Sequence, residues 1–297
     1  LSPTLEVIMD TEIDKKLGER LRTHREKLGF TQEFVAKKMG LDSQVIISAI
    51  ESGTRKIKAQ ELSQLAKIYF CDITYFLDSE AEKSEEILVY WRECPDQSIA
   101  KVKEQEFINF CNHYYDLEKK LNLDHKSSLK QLNYKADDYS FDKIESMAED
   151  LSNEMKLGSR PACSLRKILE EKYNIKIFYY DLGISGSAAS AVGKFGYAIL
   201  INSSEPVWRR NFDLAHELFH ILTWSIFKHE DVHRNDGTKS IVEQWADAFA
   251  ASLLLPQVEV SREFKNKMQN NLISLVDIVA IAREFEVSTK ALMWRLV

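Results

Sequence analysis

At 297 residues, 44% hydrophobic and 29% charged, the chain has an ordinary globular composition and the length for two domains with cores of their own. No run approaches the roughly eighteen apolar residues of a membrane helix, and the acidic start Leu5 to Asp14 is not a secretory leader, so a cytoplasmic protein without a membrane partner is expected. The net charge of −6 (40 Lys and Arg, 46 Asp and Glu) excludes a chain that is basic throughout, and four scattered cysteines without a C-x-x-C spacing argue against both a disulfide framework and a cysteine zinc site.

Residues 1–14 read as an N-terminal tail. From Lys16 to Leu77 the apolar residues recur at helical spacing in short blocks broken by Gly29, Gly40 and Gly53, which predicts five helices in a domain spanning residues 15–78. Within it, Thr31 to Gly40 and Ser43 to Lys56 read as a helix, a glycine turn and a second helix. Between Lys15 and Phe70 there are twelve Lys and Arg against six Asp and Glu, so this end is the basic one. The pattern resembles the phage-repressor or XRE type of helix-turn-helix, whose second helix enters the major groove of double-stranded DNA. The resemblance puts Gln44, Val45 and Ala49 at base edges and Gln32, Thr54, Arg55 and Lys56 at phosphates. Of the first three only Gln44 can make a bidentate bond to adenine, so direct readout of an operator would be weak. The basic excess is modest, and binding as a homodimer on two half-sites is expected. A helical domain turned to a protein partner is the alternative.

Residues 79–140 read as a linker and connector. Ser79 to Glu86 is charged, and Ile99, Val102, Phe107, Phe110, Tyr114, Leu117 and Leu121 form the apolar stripe of one amphipathic helix, packed on the second domain or on a second copy. Leu123 to Tyr139 is polar and reads as a loop or hinge. The second domain, residues 141–297, opens with a helix from Asp142 to Met155, a break at Gly158 to Pro161, and a helix from Ser164 to Tyr173.

The most informative stretch is Phe212 to Leu222, which sets His216, Glu217 and His220 in an H-E-x-x-H arrangement inside an apolar, helix-forming run. Histidines four apart share a helix face and can reach one metal ion, while the glutamate between them is placed to hold a water. Burying such a set among apolar side chains is costly unless something pairs with it, and a metal ion is the simplest partner, the spacing reading as a zinc (Zn2+) hydrolase site. A second match, His229 to His233, is embedded in polar residues and runs into Asn235-Asp236-Gly237; it reads as a loop. A catalytic zinc needs a third protein ligand. Glu243 to Leu255, an apolar helix stopped by Pro256, supplies Glu243 as that ligand and Asp247, one turn on, to fix the tautomer of a zinc histidine.

A strand at Ile175 to Asp181, a small-residue segment, a strand at Gly196 to Asn202, the Arg209 to His220 stretch and the Glu243-x-x-Ala-Asp-x-Phe-Ala helix together resemble the ImmA/IrrE family of zinc metalloendopeptidases. The resemblance implies zinc on His216, His220 and Glu243 and Glu217 as general base. Phe219 stands where the family usually has a small residue. Tyr197, His229 and His233 are the candidates to steady the oxyanion. The fold expected is mainly α with a small β-sheet: a five-helix DNA-binding domain followed by a zincin-like metallopeptidase domain closed by a helical segment from Ser274 onward. The function it implies is a transcriptional regulator that cleaves a repressor-like protein, or its own linker, in a stress or mobile-element response. The rival is a transcription factor whose second domain senses zinc or a ligand without cutting.

Overall fold

The computed structural model describes residues 3–77, 87–92, 97–123, 126–132, 138–184, 186–232, 238–270 and 272–296. The chain divides into two units, Leu1–Glu86 with Asp96–Phe110, and Ile87–Pro95 with Cys111–Val297.

The first unit holds α1 (Pro3–Lys27), α2 (Gln32–Lys38), α3 (Val45–Glu51), α4 (Ala59–Ile68) and α5 (Thr74–Leu77). The segment read as a tail is therefore helical from Pro3. Proline is at home in a first turn, and no glycine or proline interrupts the run from Thr4 to Leu17. Thr31 caps α2, its hydroxyl accepting from the Phe34 N–H at 3.1 Å, and Gly40 ends it with φ +72°. Leu21, Val35, Ile47, Ile50, Leu65, Tyr69 and Phe76 form the core. At Gly18 a Cβ would sit 2.5 Å from the Ile50 carbonyl oxygen, so only glycine lets α1 pass this close to α3.

The second unit starts earlier than expected. Residues 89–92, read as linker, form β1 (Val89–Arg92), a strand whose four residues are too few to show alternation in the sequence. The amphipathic helix follows as α6 (Gln97–Lys120). Its last turns pack on this unit, where Glu118 pairs with Lys176 at 3.2 Å and Tyr114 lies edge-on to Phe178. Residues 126–132 of the polar stretch are irregular but tied down, with the Leu132 N–H donating to the Leu222 carbonyl and the Ser127 hydroxyl to the Tyr173 carbonyl. Then come α7 (Phe141–Met155) and α8 (Pro161–Glu171), which begins at proline, three residues before the expected start.

The sheet adds β2 (Lys176–Tyr180), β3 (Ala188–Gly193) and β4 (Gly196–Asn202) in the order β1-β3-β4-β2. β1 and β4 run antiparallel to β3, and β2 runs parallel to β4. Register sets Tyr90 opposite Ser190 and Ser190 opposite Ile199, on the face that meets the main core. The remaining elements are α9 (Val207–Leu222), α10 (His229–Val232), α11 (Ile241–Leu254), α12 (Gln257–Lys267), α13 (Leu275–Glu284) and α14 (Thr289–Arg295). Residues 229–232 are thus one helical turn instead of loop, set by Asp231, whose carboxylate accepts from the Lys228 N–H at 2.8 Å. Among the described residues no helix is long and apolar enough to cross a membrane.

Candidate metal centre and nucleic-acid interface

α9 packs on β3 and β4 through an apolar stripe and is buried over its whole length from Asp213 to Leu222. α11, capped by Ser240 whose hydroxyl accepts from the Glu243 N–H at 3.2 Å, crosses α9 and brings its first turn to the paired histidines. His216 Nε2 and His220 Nε2 are 3.1 Å apart; Glu243 Oε2 is 3.3 Å from the first and Oε1 3.0 Å from the second. Zinc bonds of about 2.0–2.1 Å at tetrahedral angles put ligand atoms about 3.3 Å apart, so this donor set of two imidazoles and a carboxylate fits a zinc ion. His216 Nδ1 faces Asp247 Oδ1 at 2.9 Å. Glu217 is 1% exposed, and neither carboxylate oxygen has a hydrogen-bond partner. The buried Ser190 hydroxyl on β3 faces this carboxylate and opposes the upward push of burial on it, without a well-aligned hydrogen bond between the two. Tyr197 lies half-buried on β4 opposite Val192. His229 contributes its backbone to α10, its side chain lying outside the described residues, as does all of His233.

In the first unit, Gln44 and Val45 are exposed at the N-terminal end of α3, and Ala49 is half-buried one turn on. The four residues read as phosphate contacts differ in what else they do. The Gln32 amide donates to Glu51 at 2.8 Å, and Arg55 forks onto Glu61 at 2.7 and 3.2 Å. The Thr54 hydroxyl donates to the Ala49 carbonyl, while Lys56 approaches Asp14 only to 3.9 Å. Gln32 and Arg55 are thus engaged within the fold, which spacing along the chain could not disclose.

Residues 170–297 match the Peptidase_M78 family model, described as an IrrE N-terminal-like domain, and residues 21–76 match a helix-turn-helix model, HTH_3. The chain joins a helix-turn-helix domain to an IrrE-like domain. Among solved structures, a Mycobacterium tuberculosis transcriptional regulator is similar at 15% identity and TM-score 0.36, covering 64% of this chain and 51% of that one. The chain thus spans about half the length of that regulator. None of the curated proteins compared matches.

The IrrE-like domain owes its site to residues outside the sequence motifs as well. Arg92, at the end of β1, places Nη1 2.8 Å from Asp213 Oδ1 and Nη2 3.2 Å from Asp247 Oδ1, its guanidinium over the Phe212 ring. The first of these is a close charge contact without good hydrogen-bond alignment. Asp213 precedes His216 by three residues on α9, and helical spacing alone could have found it. Arg92 and Ser190 carry no signal in the sequence, since sheet pairing delivers them. The rings of Tyr90 and His220 meet edge to face with their centroids 6.0 Å apart. Burial pushes the pKa of Asp213 up to about 7 against the pull of Arg92 and Arg209, and burial likewise raises Glu217. Burial also works to raise Glu243 and Asp247, but it is outweighed by His216 and His220 at Glu243 and by His216, Arg92 and Lys239 at Asp247, so both carboxyls are held well below their usual range. For His216, burial and Arg92 push downward and the bonds to Asp247 and Glu243 prevail, so its pKa is raised.

Proposed function

We propose that this protein is a DNA-binding transcriptional regulator whose IrrE-like domain is a zinc-dependent endopeptidase, cutting a repressor-like partner or its own linker in a stress or mobile-element response. The observation that carries this reading is the tetrahedral spacing of His216, His220 and Glu243 beside the buried carboxylate of Glu217. Zinc held by those three residues would supply Lewis acidity and an acidified water. Glu217, whose pKa burial raises, takes the proton of the attacking water and passes it to the leaving amine. Asp247 accepts from His216 Nδ1–H, which leaves the lone pair of Nε2 for a metal. Tyr197, His229 and His233 stand as candidates to steady the oxyanion. In the other domain, Gln44, Val45 and Ala49 face DNA bases and Gln32, Thr54, Arg55 and Lys56 the phosphates, in a cytoplasmic homodimer on two half-sites.

The test incubates zinc-loaded protein with repressors encoded near its gene, beside a Glu217→Gln control. Cleavage by the parent and a loss of at least about a hundredfold in the variant, with zinc retained, is the expected outcome. Equal cutting by the two proteins sinks the mechanism. A second reading is favoured by the enclosure of the site, where His216 and His220 are 0% and 3% exposed: a zinc or ligand sensor that does not cut. Zinc binding with no cleavage of any candidate or of the chain itself selects it.

A further inference from the structure

The matched IrrE-like region begins at residue 170, yet the metal site is buttressed by a side chain from well upstream of it. Arg92 is 5% exposed at the end of β1, where pairing with β3 sets it opposite Ala188 and turns it toward α9. One arm of its guanidinium meets Asp213 on α9 and the other meets Asp247 on α11, so a single planar fork spans the two helices that carry the metal ligands. The oxygen of Asp247 that Arg92 approaches is the one that faces His216 Nδ1. Lys239 pulls on the other oxygen from a more exposed position. Without Arg92, Lys239 would be the cation left to Asp247 and would draw it from the imidazole, while Asp213 would lose its main counter-charge and keep Arg209 at 3.4 Å.

We propose that Arg92 is a positioning residue for the metal site: it holds Asp247 against His216 and so fixes the ring that would bind the metal. Strand β1 is then part of the peptidase-family domain, and a domain cut at residue 141 or 170 would lack a component of its own centre. This rests on reading His216, His220 and Glu243 as metal ligands, and not on peptide cleavage, so it is tested by metal binding alone.

The experiment measures Co2+ affinity and the visible absorption of bound Co2+ in full-length parent, Arg92→Lys, Arg92→Met, Asp247→Asn and the Arg92→Met/Asp247→Asn double variant, with circular dichroism to check folding. Arg92→Met is expected to weaken Co2+ by about tenfold or more and alter the spectrum, the scale for losing an outer support of a metal histidine. Arg92→Lys recovers part of the loss, since one ammonium keeps the charge but cannot fork between two carboxylates. In the Asp247→Asn background the same Arg92→Met change costs less than about threefold, because the route through Asp247 is already gone. Parental affinity and spectrum in both Arg92 variants overturns the proposal. So does an equal Arg92→Met cost in both backgrounds, which would make Arg92 a fold-stabilising residue only. If Arg92→Met does not fold, Arg92→Lys decides: weakened, spectrally altered binding supports the proposal and parental behaviour overturns it. A parent that binds no Co2+ overturns the ligand assignment and this proposal together.

Discussion

His216 Nδ1 lies 2.9 Å from Asp247 Oδ1, across the contact between α9 and α11, while the same ring's Nε2 points at Glu243. The two contacts fix which nitrogen is free for a metal. One zinc per chain is therefore expected, lost on His216→Ala, His220→Ala or Glu243→Ala, kept on His229→Ala and His233→Ala, and weakened about 10- to 100-fold on Asp247→Asn. Elemental analysis and a competitive chelator titration of these variants check it; full zinc in His216→Ala would show that the first H-E-x-x-H is not the site.

Replacing Gln44 by Ala should cost about 1 to 3 kcal/mol on the preferred operator and little on random duplex, because only a base contact distinguishes the two. Lys56→Ala should weaken all duplexes alike and flatten the salt dependence by roughly one unit. Arg55→Ala has a further effect, since it also leaves Glu61 without its forked partner. Titrations on both duplexes at two salt concentrations separate the three. Unaltered binding in all of them would mean that the helix-turn-helix serves a protein partner.

Arg25 and Glu51 form a buried ion pair, 2.6 Å from Nε to Oε1 and 3.0 Å from Nη2 to Oε2, with Gln32 donating to the second oxygen. Removing Glu51 takes the forked, buried carboxylate from a guanidinium that is 9% exposed and leaves it the Phe30 carbonyl at 2.7 Å and the half-exposed Glu26 at 3.3 Å. Glu51→Ala should destabilise the first unit by about 3–5 kcal/mol, whereas Gln32→Ala should cost about 1 kcal/mol. Urea unfolding read by hydrogen exchange in α1 to α4 measures both, and a Glu51→Ala loss no larger than that of Gln32→Ala refutes the ranking.

His24 sits in the same core, its Nε2 3.2 Å from the Tyr69 carbonyl and its Nδ1 buried without a partner. Nε2–H donates to the carbonyl, so protonation would put a charge on the orphaned Nδ1, and burial pushes the pKa down to about 4. The folded pKa lies below the unfolded one of about 6.5, so the neutral imidazole's contribution is complete above that pH and is lost as pH falls toward 4. The first unit should lose on the order of 3 kcal/mol across that window through this group. His24→Gln, which keeps a donor for Tyr69 and cannot titrate, should show a flatter stability profile between pH 7 and 4 in the same unfolding assay; parallel profiles would count against the assignment.

Much of this molecule is written in local order. The glycines at 29, 40 and 53 and the apolar spacing between them define five helices because a helix face is a property of three- and four-residue neighbours. The same periodicity puts His216 and His220 on one helix face and Glu243 and Asp247 on another, independently of any tertiary contact. Which nitrogen meets which oxygen belonged to the tertiary structure, since α9 and α11 are separated by α10 and joined only by packing. β1 shows the limit most clearly. Four residues beside a charged linker carry no period, and Arg92 gains its neighbours Asp213 and Asp247 only through pairing with a strand almost a hundred residues later. The engagement of Arg55 by Glu61 and of Gln32 by Glu51 was hidden for the same reason: the sequence displays which side chains can reach a phosphate, and only the folded chain decides which of them already have a partner.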